Sequence, residues 1–193
     1  MMVLGITGGI GSGKSYISSL LCEKMHIPLY DCDTEAKRII CKDKGVRSKL
    51  TELVGAQIYK DGKLQKKLLA DYLFANQHHA QKVNAIVHPV VKDDFCKWVK
   101  QQNAEMVVME SAILYESGFD TAVDKVLFVD ASRELRIQRV MQRDGCTRQQ
   151  VEARMNMQRT EELRQKADCV IENEGASQES LLATLQEILK III

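Results

Sequence analysis

Eight consecutive residues, Gly8-Gly9-Ile10-Gly11-Ser12-Gly13-Lys14-Ser15, fill the pattern G-x-x-x-x-G-K-[ST] at every fixed position. The chemistry of that pattern is the grip of a polyphosphate. Glycines at Gly8, Gly11 and Gly13 let several backbone N–H groups converge on phosphate oxygens, and Gly9 and Ser12 complete the loop. A helix starting behind the loop adds unpaired N–H donors and a partial positive charge, so the amides of Ser15 and Tyr16 are expected to face the anion too. Lys14 is expected to reach the β- and γ-phosphates, and the Ser15 hydroxyl to hold Mg²⁺.

Phosphoryl transfer also needs carboxylates, one for the proton of the attacking hydroxyl and others for the metal's waters. Asp31-Cys32-Asp33 follows a short apolar run. Side chains two apart on an extended segment point the same way, so both carboxylates are expected to face one crevice, with Asp33 as the base and Asp31 in support. The alternative is that Asp33 caps a helix running from Thr34. Glu110 closes a third apolar run and is, with Asp31, a candidate for holding the metal through water; Glu116 lies six residues on. Arg136, Arg139 and Arg143 recur at helical spacing without acidic partners, a like-charged stripe whose small cost a bound polyphosphate would reverse. Arg139 and Arg143 are the candidates for phosphate contact; Arg154 and Arg159 are weaker ones. His88-Pro89 reads as a helix start, with His88 either structural or a ligand contact.

The elements that must position these residues are short strands alternating with helices. Apolar runs at Met2–Thr7, Pro28–Asp31, Met106–Ser111, Lys125–Asp130 and Cys169–Glu172 read as buried parallel strands. The pattern predicts an α/β fold, a parallel five-stranded sheet with helices on both faces. Ligands collect beyond the carboxyl ends of such strands, so Gly8–Ser15, Asp31–Asp33 and Glu110–Glu116 are expected to open on one crevice. One domain is expected over 1–193, with a core of 1–33, 104–135 and 166–193. A helical substrate lobe spans about 34–103, its helices separated at Lys60-Asp61-Gly62 and at His88-Pro89. A lid spans about 136–165, where Asp144-Gly145 ends one helix and Thr147-Arg148-Gln149-Gln150 resembles a capping box that restarts another.

At 193 residues, 45% hydrophobic and 27% charged, the chain suits one such domain with inserted lobes. A net charge of +1 gives no reason to invoke nucleic acid or a membrane surface. No run of roughly eighteen apolar residues occurs, and the first apolar run breaks at Gly5 and Gly8, so a cytoplasmic protein is expected. The six cysteines form no C-x-x-C pair and read as reduced thiols; Cys32, between the two aspartates, is the one near the expected site.

In order along the chain, these segments closely resemble those of the dephospho-coenzyme A kinase family. Gly5 to Ser15 resembles the family's opening segment, Asp31-Cys32-Asp33 stands where D-A-D is usual, and Asn84-Ala85-Ile86-Val87-His88-Pro89 matches N-x-I-x-H-P. Ala112-Ile113-Leu114-Tyr115-Glu116 is similar to P-L-L-F-E, Gln142-Arg143-Asp144 falls at the lid, and Ala167 to Gly175 is similar to A-D-x-V-I-x-N-x-G. The resemblance implies transfer of the γ-phosphoryl of ATP to the ribose 3′-hydroxyl of dephospho-coenzyme A, with Mg²⁺. It implies Asn173 near the adenine, and Asp31, Lys66, His88 and Glu116 toward the acceptor. Four positions depart from the family: Cys32 for alanine, Ala112 for proline, Glu110 for aspartate and Lys66 for arginine, the last without a bidentate fork. A nucleoside monophosphate kinase would share loop, lid and sheet but differ in the helical lobe. A GTP-binding switch would need an N-K-x-D guanine reader, which the sequence lacks, and a nucleotide-binding module without turnover would need no paired carboxylates.

Overall fold

The computed structural model describes residues 1–158 and 160–192. In chain order the elements are β1 (Met2–Thr7), α1 (Lys14–Met25), β2 (Leu29–Asp31), α2 (Cys32–Lys42), α3 (Lys44–Val54), β3 (Tyr59–Lys60), β4 (Lys63–Leu64), α4 (Lys66–Ala75) and α5 (Gln77–Val99). There follow β5 (Met106–Glu110), β6 (Lys125–Asp130), α6 (Arg133–Asp144), α7 (Arg148–Asn156), α8 (Thr160–Lys166), β7 (Cys169–Glu172) and α9 (Gln178–Ile192). The chain divides into two compact units, Met1–Tyr30 with Gln102–Ile193, and Asp31–Gln101.

The first unit is built on a five-stranded sheet in the order β2-β5-β1-β6-β7. β1 pairs in parallel with β5 from Met2 opposite Met106, and with β6 from Leu4 opposite Lys125; β6 pairs in parallel with β7. All five residues of β5 are buried, as a strand covered on both faces requires. Leu4, Ile6, Val108, Leu127, Val129 and Ile171 of the sheet pack with Ile17, Leu20 and Leu21 of α1 and with Leu181, Leu185 and Leu189 of α9. The fourfold spacing of the α9 leucines makes one apolar stripe, and each such side chain taken out of water is worth about 1.5–3 kcal/mol. A second, smaller core joins α6 to α7 through Ile137, Val140, Val151 and Met155, with Ile10 and Cys146 against it. α6 ends as expected, at Gly145 with φ 63°, and α7 begins in the capping box of Thr147 and Gln150.

The second unit is mostly helical. Val83, Val87, Val91 and Phe95 line one face of α5 and are buried, and α2, α3 and α4 all pack against that helix. Arg38 bridges two of them, bonding Glu35 on α2 and Asp94 on α5 at 2.6 Å. One expectation is refined here and one overturned. Lys60-Asp61-Gly62 lies between the helices α3 and α4 as expected, but as more than a break: Asp61 (φ 50°) and Gly62 (φ 76°) form the two-residue turn of a small antiparallel hairpin, β3 to β4. His88-Pro89 does not start a helix, because α5 runs unbroken from Gln77 to Val99 with Pro89 inside it. Proline there forfeits the hydrogen bond to the Ala85 carbonyl, but both residues are exposed, so water can serve that carbonyl.

Among the described residues no helix is long and apolar enough to cross a membrane. All six cysteines are free thiols.

Candidate active site

The loop from Gly8 to Gly13 leaves β1 and enters α1, and its shape depends on residues without side chains. Gly13 sits at φ 91°, and a Cβ there would lie 2.2 Å from the Asn173 side-chain nitrogen. Gly11 sits at φ 79°, where a Cβ would lie 2.5 Å from the Arg136 carbonyl oxygen. The neighbouring elements thus close on bare backbone, and any larger residue would push them off.

Among the described residues, none accepts a hydrogen bond from the N–H of Gly11, Gly13, Lys14 or Ser15. Four donors in one turn, at the positive end of α1, make an anion cradle. The Tyr16 amide is not among them, contrary to expectation, because it donates to the Gly13 carbonyl at 3.0 Å. The Ser12 amide likewise donates to Gly9, at 3.1 Å. A cavity of about 190 Å³ opens over the cradle, lined by Gly11, Gly13, Lys14, Ser15, Arg139 and Arg143. A larger hollow, about 910 Å³, lies at the opposite end of the sheet beside Met2, Met25, Ile27, Met106 and Leu189. It is mostly apolar and holds none of the predicted residues, so convergent donors rather than volume mark the site.

Ser15 Oγ donates to Glu110 Oε1 at 2.5 Å. Glu110, at the end of β5, is 5% exposed. A hydroxyl beside a buried carboxylate at the mouth of a phosphate cradle is an all-oxygen donor pair, which suits a hard divalent cation that keeps most of its water. No group of three or more His, Cys, Asp or Glu arranged for a metal occurs among the described residues.

The basic stripe of α6 divides. Arg139 is half-buried and holds the protein's own backbone: Nη1 donates to Ser12 O at 3.3 Å, and Nη2 to Asn173 O at 3.0 Å. Arg143 is exposed and forks onto its neighbour Asp144 at 2.7 and 3.1 Å, and Arg154 reaches the same carboxylate at 2.9 Å. These partners hold the Asp144 carboxyl far below the usual carboxylate range, Arg143 contributing most. Arg136, which sequence reasoning left in the stripe without a task, is 6% exposed and donates through Nε to Ile10 O at 2.9 Å. Burial lowers its basicity, opposed by the nearby charge of Asp130.

Asn173 follows β7 as expected, but its side chain is already engaged. Nδ2 donates to Ser12 O at 2.9 Å within the core, Oδ1 accepts from Arg139 at 3.4 Å, and the residue is 3% exposed. Asp168, in the same segment, ties β6 to β7 by accepting from Val126 N and from Lys125 Nζ, both at 2.8 Å. Glu116 is exposed in the turn after β5. Arg159 lies outside the described residues.

Asp31, Asp33, Lys66 and His88 belong to the second unit. The shared extended segment expected for the two aspartates does not exist, because α2 already begins at Cys32. Asp31 is the helix cap: Oδ1 accepts from Asp33 N at 3.0 Å and Thr34 N at 3.3 Å, and Oδ2 from Thr34 Oγ1 at 2.6 Å. Asp33 is therefore not the cap; it stands exposed in the first turn, where the helix dipole favours its charge. Cys32 between them is 4% exposed. Lys66 is exposed at the start of α4. His88 is half-buried in the middle of α5, and burial pushes its pKa down.

The geometry is that of a nucleotide kinase core, and known proteins agree. The fold matches a crystal structure described as TT1252 from Thermus thermophilus, with TM-score 0.85 and 33% identity over 100% of this chain and 98% of that one. It also matches a dephospho-CoA kinase from Campylobacter jejuni, with TM-score 0.71 and 22% identity over 99% of this chain and 98% of that one, a likeness of fold. In sequence the chain is 45% identical to a dephospho-CoA kinase of Bacteroides fragilis (strain YCH46), over 89% of this chain and 84% of that protein. Residues 2–179 match the family model described as dephospho-CoA kinase. With a phosphate loop, a five-stranded parallel sheet and an ordered match across nearly its whole length, this chain belongs to the dephospho-CoA kinase family.

Proposed function

We propose that this chain moves the γ-phosphoryl group of ATP to the ribose 3′-hydroxyl of dephospho-coenzyme A, the last step of coenzyme A biosynthesis, in the cytoplasm. The observation that carries the reading is the cradle: free amides of Gly11, Gly13, Lys14 and Ser15 beside Lys14 and Arg139, in a chain of this family.

In the proposed reaction the 3′-oxygen attacks the γ-phosphorus as the bond to the β,γ-bridging oxygen breaks. ADP leaves with that electron pair, and Asp33 takes the hydroxyl proton. Gly8, Gly9 and Ser12 shape the loop, while Lys14, its neighbouring amides and Arg143 stabilise charge on the moving group. Ser15 and Glu110 would hold Mg²⁺, Glu110 through water; Asp31, its oxygens taken up as a cap, is the poorer candidate. Bound there, the cation would neutralise charge on the β- and γ-phosphates. Arg139 and Asn173 act by fixing the loop, since their polar atoms already hold Ser12. Lys66, His88 and Glu116 are proposed for the acceptor, the helical unit 34–103 as its lobe, and 136–165 as a lid that closes over both substrates.

The test is Asp33→Asn with ADP release followed against dephospho-coenzyme A, AMP, UMP and CMP. Turnover with dephospho-coenzyme A alone is expected in the wild type, and the variant should lose about 10²–10⁴-fold in kcat with its KM for ATP little changed. Wild-type turnover in the variant removes Asp33 as the base; a preference for AMP, UMP or CMP removes the acceptor.

A further inference from the structure

Ile10 is held from three sides, and none of the three was assigned a task by the phosphate-loop pattern. Its N–H donates to Gln158 Oε1 at 2.8 Å, in the turn that follows α7. Its C=O accepts from Arg136 Nε at 2.9 Å, on the first half of α6. Its side chain packs into the apolar core that joins α6 to α7. One residue of the loop is thus clamped, through backbone and side chain together, by α6, by the apolar core between α6 and α7, and by the turn that follows α7.

Arg136 is built into the loop rather than laid over it. It is 6% exposed, and a Cβ on Gly9 would lie 2.1 Å from its Nη2. Nη2 is buried without a hydrogen-bond partner among the described residues. A guanidinium held in so dry a place, with Nη2 unpaired, costs stability, and the bond to Ile10 O is what it holds there in return. The remaining loop amides, from Gly11 onward, lie directly beyond the peptide that the clamp fixes. A shift of about 1 Å there would spoil their convergence on a phosphate.

We propose that Arg136 and Gln158 are positioning residues for ATP, acting through the Ile10 peptide to set the phosphate loop and to tie its shape to the segment 136–165. The proposal rests on the reading of the loop as the ATP site. Neither residue need touch the nucleotide. The hydrogen bond to Ile10 O, rather than the charge of Arg136, is what the loop requires.

Three substitutions separate the possibilities: Gln158→Leu, Arg136→Met and Arg136→Gln, each assayed for both substrates alongside its melting temperature. Gln158→Leu and Arg136→Met should each raise KM for ATP about tenfold, the worth of one buried hydrogen bond, while KM for dephospho-coenzyme A stays near the wild-type value. Arg136→Gln keeps an N–H donor without the charge and should recover most of the loss. A lower melting temperature with KM for ATP unchanged would make both residues merely structural and overturn the proposal. So would failure of Arg136→Gln to recover what Arg136→Met loses. Gln158→Leu, at a half-buried turn, keeps the test open if the arginine variants fold poorly. Lys14→Ala serves as the reference: if it too leaves KM for ATP unchanged, the ATP reading of the loop fails; if only Lys14→Ala raises it, the clamp alone fails.

Discussion

The two ends of α6 put the same residue type to different uses. Its first two turns bury Arg136 and half-bury Arg139; Arg136 donates through Nε to Ile10 O, and Arg139 to the carbonyls of Ser12 and Asn173. Its last turn exposes Arg143, whose fork lies on the adjacent Asp144, a carboxylate shared with Arg154. Backbone carbonyls fixed in a core cannot follow a departing guanidinium, so the inner arginines stay with the loop they hold. Exposed ion pairs exchange at little cost, so Arg143 can trade Asp144 for a phosphate without disturbing the fold. The same stripe is therefore rigid at one end and available at the other.

The sharpest way to break that contrast is Gly13→Ala. The substitution adds a Cβ at φ 91° and drives it into Asn173, the residue that Arg139 holds in place. It should cost about 2–4 kcal/mol, from the left-handed backbone and the overpacking together, and abolish measurable turnover. Denaturant unfolding checks the first and ADP release the second. Next in size is the pair Arg139→Ala and Arg143→Ala. Arg139→Ala should lower stability by about 2–3 kcal/mol, having removed charged hydrogen bonds to Ser12 and Asn173. Arg143→Ala should leave the melting temperature nearly unchanged yet reduce kcat about 10–100-fold. Equal thermal losses in both variants would erase the distinction between held arginine and free fork.

The smallest expected effect concerns the other unit. Burial lowers the pKa of His88 below its ordinary 6.5, so the folded chain prefers the neutral ring. Where the unfolded state binds more protons, stability rises with pH. The contribution of His88 is therefore complete above 6.5 and lost as pH falls from there toward its lower folded value. His88→Gln should flatten that part of a stability profile measured between pH 7.5 and pH 5; an unchanged slope would show that burial there carries no penalty.

Much of this was legible in the residues. The five strands and the capping box at Thr147 each depend on local pattern, apolar runs in one case and a polar cap in the other, and the structure has them with boundaries shifted by a residue at most. The elements that were misread are those where local rules competed. Two-residue strands are too short to show alternation, so Lys60-Asp61-Gly62 reads as the break between helices that it is and not as the hairpin it also forms, although Asp-Gly is itself a hairpin signal. Proline at 89 argued for a boundary, but the valine stripe of α5 outweighs one missing hydrogen bond at an exposed carbonyl. Asp31 is extended as expected, at the end of β2, but Asp33 does not share that segment, because three donors close on the Asp31 carboxylate and start α2 at Cys32. Gln158 and the task of Arg136 were out of reach, since a contact spanning more than a hundred residues leaves no trace in spacing.

Pro89 has one more effect. A helix of twenty-three residues ordinarily unzips from its ends, where rungs are unshared. With one rung missing at its centre, α5 gains an internal point from which opening can start, and the amides flanking Pro89 should trade their hydrogens for deuterium sooner than those one turn to either side. α5, unbroken as it is, should then open as two shorter segments that meet at Pro89.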